Sequence, residues 1–159
     1  MTVALSRTDP DFQLFERIKD GPGRTSGYRM TSPEQFSQLL EAGDLIWTNT
    51  RYRARYAIDR TGLLQLLESG RIPVVHAGQP EVIDAVVAAT PGVSWTVVEL
   101  HSDRATAISR ITERATGDFD ERLAAWDETP PLAAPNIRID TTITTPDEAA
   151  RLIRSTVCA

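Results

Sequence analysis

The chain has a single cysteine, a single lysine and no long apolar run in its 159 residues. The lone Cys158, next to the C-terminus, excludes an internal disulfide and fits a reducing, cytoplasmic compartment. No metal site is expected, because neither the cysteine nor the two histidines has ligand-type neighbours at useful spacing. No apolar stretch approaches the ~20 residues that span a bilayer, and the opening MTVALSRTDP lacks the charged and apolar regions of a secretory signal. A membrane partner is therefore not expected. Positive charge is not in excess either: the net charge of −5 argues against nucleic-acid binding driven by counterion release. Hydrolase, redox and metalloprotease signatures of the types G-x-S-x-G, C-x-x-C and H-E-x-x-H are absent, as is the phosphate-cradling G-x-x-x-x-G-K. The 16 arginines that accompany Lys19 suit bidentate recognition of phosphate or carboxylate, and a GC-rich coding bias accounts for them equally well.

What is present reads as alternating strands and helices in one domain with its own core, residues 1–159. Val3 to Arg7 reads as a helix end that stops ahead of Asp9-Pro10. Phe12 to Ile18 alternates as a strand, closed by Gly21, Pro22 and Gly23. Ser32-Pro33-Glu34-Gln35 is a capping box with proline at the first helical position, and Gly43 closes that helix. Leu45–Trp47 and Tyr56–Ile58 read as strands joined by the arginine-rich turn 51–55, with a helix over Leu63–Leu67 ending at Gly70. Ile72–Ala77 and Trp95–Leu100 are short apolar runs of the kind buried in parallel sheets, separated by a helical Val82–Ala89. Asp103 caps a helix to Arg114; Asp118–Trp126 is another helix, Ile137–Asp140 a strand, and Thr145-Pro146-Asp147-Glu148 opens a last helix running to about Thr156. The expected class is α/β, with a parallel sheet and right-handed crossovers.

In an open α/β sheet ligands collect beyond the carboxyl ends of the strands. The polar residues there are Lys19, Arg24 and Tyr28 after the first run, His76, Gly78 and Gln79 after IPVV, and His101 and Ser102 after WTVVEL. Each histidine reads either as a donor to a phosphate or sugar oxygen or as an ordinary loop residue. Arg110 and Arg114, four apart on one helix face, and Arg122 on the next helix suit the spread charge of a transferring phosphoryl group. A solvated face, neutralised by Glu113, Asp118 and Glu121, is the other reading.

Taken in order, these features resemble the guanylate kinase family and its ribose 1,5-bisphosphate phosphokinase relatives, over nearly the whole chain. The acceptor-phosphate loop of the family, with its Tyr and following Ser-x-x-x-Phe, is similar to Lys19-Asp20, Arg24, Tyr28 and Ser32–Phe36. The Trp-x-Glu strand and Tyr-Gly pair resemble Trp47-Thr48-Asn49 and Tyr56-Ala57, and Arg-Leu-x-x-Arg resembles Arg110–Arg114, with a later Arg-Leu at Arg122-Leu123. The resemblance implies a three-layer parallel sheet of nucleotide-kinase (P-loop NTPase) type, with a strand-rich acceptor-binding subregion at about 17–60 and the first strand and P-loop absent. The departures bear on the acceptor. Where the family reads guanine with carboxylates, this chain carries Asn49 and the segment His76–Gln79, a neutral acceptor in place of a charged one.

The resemblance thus implies a phosphotransferase for a nucleoside monophosphate or sugar phosphate, short of the segment that binds ATP. Lys19, Arg24 and Tyr28 would bind the acceptor phosphate, Asn49, Tyr56, His76 and Gln79 would line the acceptor, and Arg110, Arg114 and Arg122 would serve the transferring phosphoryl. ATP and Mg²⁺ are the cofactors of an intact family member. A natural reading frame beginning upstream of Met1 is expected, since the sequence opens within a helix. The alternative is a non-catalytic guanylate kinase-like module that binds a nucleotide, a phosphorylated metabolite or a protein.

Overall fold

A computed structural model of the chain describes residues 1–51, 53–114 and 117–158, Arg114 by its backbone alone. In chain order the elements are α1 (Thr2–Thr8), β1 (Phe12–Leu14), β2 (Arg17–Asp20), β3 (Tyr28–Met30), α2 (Pro33–Glu41), β4 (Leu45–Arg51) and β5 (Ala54–Asp59). They continue with α3 (Arg60–Glu68), β6 (Ile72–Val74), α4 (Pro80–Ala89), β7 (Val98–His101), α5 (Arg104–Arg114), α6 (Phe119–Glu128), β8 (Ile137–Asp140) and α7 (Pro146–Val157). This is a mixed α/β chain. Its contacts group it into two compact units: Asp9–Ser94 with Thr2, and Val3–Thr8 and Trp95 onward with Met1.

The unit of residues 9–94 holds two sheets. One is the parallel pair β1-β6, in register from Phe12↔Ile72 to Leu14↔Val74. The other has the order β3-β2-β5-β4, parallel between β2 and β3 and antiparallel elsewhere. The residues read as one strand over Phe12–Ile18 therefore feed two sheets. Phe12 and Phe15 are both buried, a spacing that strict alternation does not allow, and the Phe15 N–H reaches the Val74 carbonyl at 3.0 Å before the chain enters β2. β3 was not expected as a strand; among the described residues its three residues pair only with β2. The hairpin turn is tighter than the expected 51–55, because β4 runs to Arg51 and β5 starts at Ala54; Tyr52 lies outside the described residues.

Side chains alternate across a strand, so the registers sort this four-stranded sheet into two faces. On one, Ile18 and Ala57 pack with Phe36 of α2, joined by Leu39 and Leu45. The α2 capping box forms as the sequence dictates: the Gln35 N–H donates to Ser32 Oγ at 3.2 Å and the Ser32 N–H to Gln35 Oε1 at 3.4 Å. Arg55, on the same face, stacks 4.3 Å from the Phe36 ring centroid and pairs with Asp20. At the end of β5 the buried Asp59 caps α3, accepting from the Gly62 N–H at 2.8 Å, and also takes the Arg29 guanidinium.

The second unit is built on the parallel pair β7-β8, in register from Val98↔Ile137 to His101↔Asp140. Ile137, Ile139, Ala107 of α5, Ala4 and Leu5 of α1, and Ala149, Ala150 and Ile153 of α7 are buried in it. Thr145 and Glu148 form the second capping box. The strand expected at Trp95–Leu100 is displaced toward the C-terminus, beginning only at Val98.

Candidate functional site

The opposite face of the four-stranded sheet is polar and aromatic. The pairs Arg17↔Tyr28, Lys19↔Tyr56 and Asn49↔Tyr56 place Tyr28, Arg17, Lys19, Tyr56 and Asn49 on it, across all four strands. Tyr28 and Tyr56 lean over β2 until their ring centroids lie 5.5 Å apart. Two cations flank the pair. The Arg17 guanidinium is 5.7 and 5.6 Å from the Tyr28 and Tyr56 centroids, and Lys19 Nζ is 5.5 and 5.7 Å from the same two rings.

Lys19 is the unusual member. It is only 2 % exposed, yet neither it nor Arg17 forms an ion pair among the described residues. An unpaired buried ammonium costs several kcal/mol, on the order of what cation–π contacts and a carbonyl partly offset. Here the ammonium donates to the Arg24 carbonyl at 2.7 Å and faces the two rings. The loop that supplies this carbonyl needs its glycines. Gly21 has φ +120°, and a Cβ there would lie 2.8 Å from Ala54 Cα; Gly23 has φ +91°, and its Cβ would lie 3.5 Å from Lys19 Nζ.

Of the acceptor residues read from the sequence, Lys19, Tyr28 and Tyr56 come together directly. Arg24 joins them through its backbone; its exposed guanidinium turns onto its own loop, Nε donating to the Ser26 carbonyl at 2.9 Å. Asn49 Nδ2 donates to Gln79 Oε1 at 3.0 Å, so the row that begins at Lys19 ends in a pair of carboxamides. His76 is exposed after β6, with Nε2 2.7 Å from the Thr2 hydroxyl. Partial desolvation by the surrounding protein holds its pKa below the usual histidine value, and the Arg17 charge pushes it the same way. Arg17 itself was not singled out in the sequence. Its signal is the i, i+2 spacing from Lys19, which on a strand puts both cations on one face.

The three arginines assigned to phosphoryl transfer lie in the other unit. Arg110 donates to the Thr141 hydroxyl at 2.8 Å and the Thr141 carbonyl at 2.6 Å, and Arg122 Nε donates at 2.7 Å to Asp118, four residues back at the N-cap of α6. The Arg114 side chain is outside the described residues. His101 is exposed at the end of β7, its carbonyl accepting from Thr141 N and Oγ1, both at 2.8 Å. Among the described residues no group of three or more His, Cys, Asp or Glu side chains could hold a metal ion, and no helix is long and apolar enough to cross a membrane.

No family model matches the sequence, and no curated protein matches it. The fold does have solved counterparts. A guanylate kinase from Anaplasma phagocytophilum superimposes with a TM-score of 0.62 over 98% of this chain and 79% of its own, at 11% identity. At that identity the likeness is one of fold, and the fold is kinase-like.

Proposed function

We propose that this chain binds the phosphate of a small phosphorylated metabolite, a nucleoside monophosphate or a sugar phosphate, against the Lys19 face of its four-stranded sheet. The observation that carries this reading is the buried Lys19 ammonium, held by two aromatic rings and one carbonyl, with Arg17 beside it and, among the described residues, no carboxylate paired to either. A phosphate oxygen is the partner such a cation lacks. The likeness in fold to a guanylate kinase supports the same reading; in phosphoryl transfer, positioning and charge stabilisation dominate the chemistry.

For phosphoryl transfer, Mg-ATP would have to be held as well. That takes a glycine-rich turn at a helix N-terminus and a lysine on the donor phosphates. The sequence has no G-x-x-x-x-G-K, and its one lysine is bonded to the Arg24 carbonyl on the four-stranded sheet. These residues do not fit the donor nucleotide. The acceptor half of a phosphotransferase is therefore the activity class this chain fits, and a binding module that recognises a phosphorylated metabolite without transfer is the second reading, favoured by the missing motif.

Calorimetric titration with ribose 5-phosphate tests the proposal. Binding to the wild-type protein and its loss in Lys19→Met are expected; equal binding by both proteins overturns it. A coupled ADP-release assay with Mg-ATP separates the two readings, turnover favouring the transferase and its absence the module.

A further inference from the structure

The registers of the four-stranded sheet sort its charges as well as its apolar groups. The acidic residues of its strands, Asp20 and Asp59, both lie on the face of Ile18 and Ala57, where they take Arg55 and Arg29. On the opposite face the charged strand residues are all cations. Besides Arg17 and Lys19 that face holds Arg51, two residues beyond Asn49 on β4 and so on the same side. Arg51 is exposed and, among the described residues, makes no ion pair.

The fold sets the span between Arg51 and Lys19. Arg51 stands opposite Ala54 in the β4-β5 register, and Ala54 is the residue that the glycine loop after β2 crowds: a Cβ on Gly21 would lie 2.8 Å from Ala54 Cα. The hairpin end is thereby packed against the strand that carries Lys19. Two strand spacings and two residues of rise separate the Lys19 and Arg51 backbones, about 12 Å. One phosphate ester, with about two negative charges at pH 7, matches Lys19 and Arg17 and is too short to meet Arg51 as well.

Resting on the phosphate-binding reading above, we propose that Arg51 is a second anion anchor, and that the ligand is a phosphorylated sugar or sugar acid with another anionic group at the far end of its carbon chain. The guanidinium fork takes a phosphate or a carboxylate through two parallel N–H···O bonds, a geometry a lone hydroxyl does not offer. Arg51 is already solvated on the open edge of the face, so pairing it costs far less desolvation than pairing a buried cation does. Its long side chain lets it lean toward Lys19, and the carbon chain of the ligand fills the distance between them.

The test is calorimetric titration of fructose 6-phosphate, fructose 1,6-bisphosphate and 6-phosphogluconate against the wild-type protein, Arg51→Gln and Arg53→Asn, each checked for folding by thermal melting. Arg53 lies in the hairpin turn with φ +59°, a backbone that asparagine also adopts, so its replacement removes the same charge without touching the face. The readout is the affinity of each two-anion ligand relative to fructose 6-phosphate on the same protein. At least one of the two is expected to bind the wild type about tenfold more tightly or better, the worth of a charge-assisted hydrogen bond; which of them leads identifies the second anion as phosphate or carboxylate. That ratio is expected to fall close to one in Arg51→Gln and to persist in Arg53→Asn. Two-anion ligands that bind the wild type no more tightly than fructose 6-phosphate, a ratio unchanged in Arg51→Gln, or one lost equally in Arg53→Asn, overturn the second anchor and leave the phosphate site in place. No binding of any of the three ligands to the wild type overturns the phosphate site, and the anchor falls with it.

Discussion

Tyr28 and Tyr56 stand on the two strands that flank β2, yet their ring centroids are 5.5 Å apart, so the rings meet over the strand that carries Arg17 and Lys19. The sheet thereby keeps a lysine buried beside aromatic faces rather than beside a carboxylate. In Lys19→Met the apolar stem is retained and the charge removed. Affinity for ribose 5-phosphate is expected to fall by about 2 kcal/mol, the worth of a charge-assisted hydrogen bond. The melting temperature is expected to hold or rise, because an uncompensated buried charge has been deleted. A large drop in melting temperature would mark Lys19 as structural instead.

The glycine loop over Lys19 is set by close approach. In Gly21→Ala the new Cβ would meet Ala54 Cα at 2.8 Å in a backbone with φ +120°. Denaturant titration is expected to show a loss of about 1–3 kcal/mol. A change within the noise of the measurement would mean that the loop and the β4-β5 hairpin do not depend on each other.

Asp59 joins two parts of its unit: it caps α3 through the Gly62 N–H and takes the Arg29 guanidinium, and it is 4 % exposed. Asp59→Ala is expected to cost about 2 kcal/mol, roughly half from the lost cap and the rest from the pair, discounted because Arg29 is partly solvated. Asp59→Asn should recover part of the cap. Equal stability of the two variants would argue against the capping role.

His76 gives the stability a pH dependence of defined sign. Its pKa in the folded protein lies below the ordinary 6.5, chiefly through partial desolvation. Below that value the unfolded chain takes up a proton that the folded one refuses, so stability falls as pH drops through 6.5 and levels off beneath the folded pKa. Between about pH 7.5 and about pH 5.5, His76→Gln should lose less melting temperature than the wild type. Parallel curves would assign the acid sensitivity elsewhere.

Local chemistry made much of the fold legible. Ser32 with Gln35 and Thr145 with Glu148 are complete capping signals within four residues, and both helices begin where those signals place them. Ile137–Asp140 is bounded as the apolar alternation has it. Tertiary pairing was not legible. Phe12–Ile18 alternates well enough to pass for one strand, and only the bond from Phe15 to Val74 shows the chain leaving one sheet for another. The site followed the same rule. Lys19, Tyr28 and Tyr56 were visible as residue types in a plausible order, whereas Arg17 required knowing that β2 is a strand and which of its faces the tyrosines cover.

The most direct test of the central claim is where a phosphorylated ligand sits. Amide chemical shifts of the isotope-labelled protein, followed during titration with AMP, should change first at Arg17–Asp20, Arg24, Tyr28, Asn49 and Tyr56, the residues of the Lys19 face. Shifts confined to residues of the unit built on β7 and β8, with the Lys19 face unperturbed, would contradict the account.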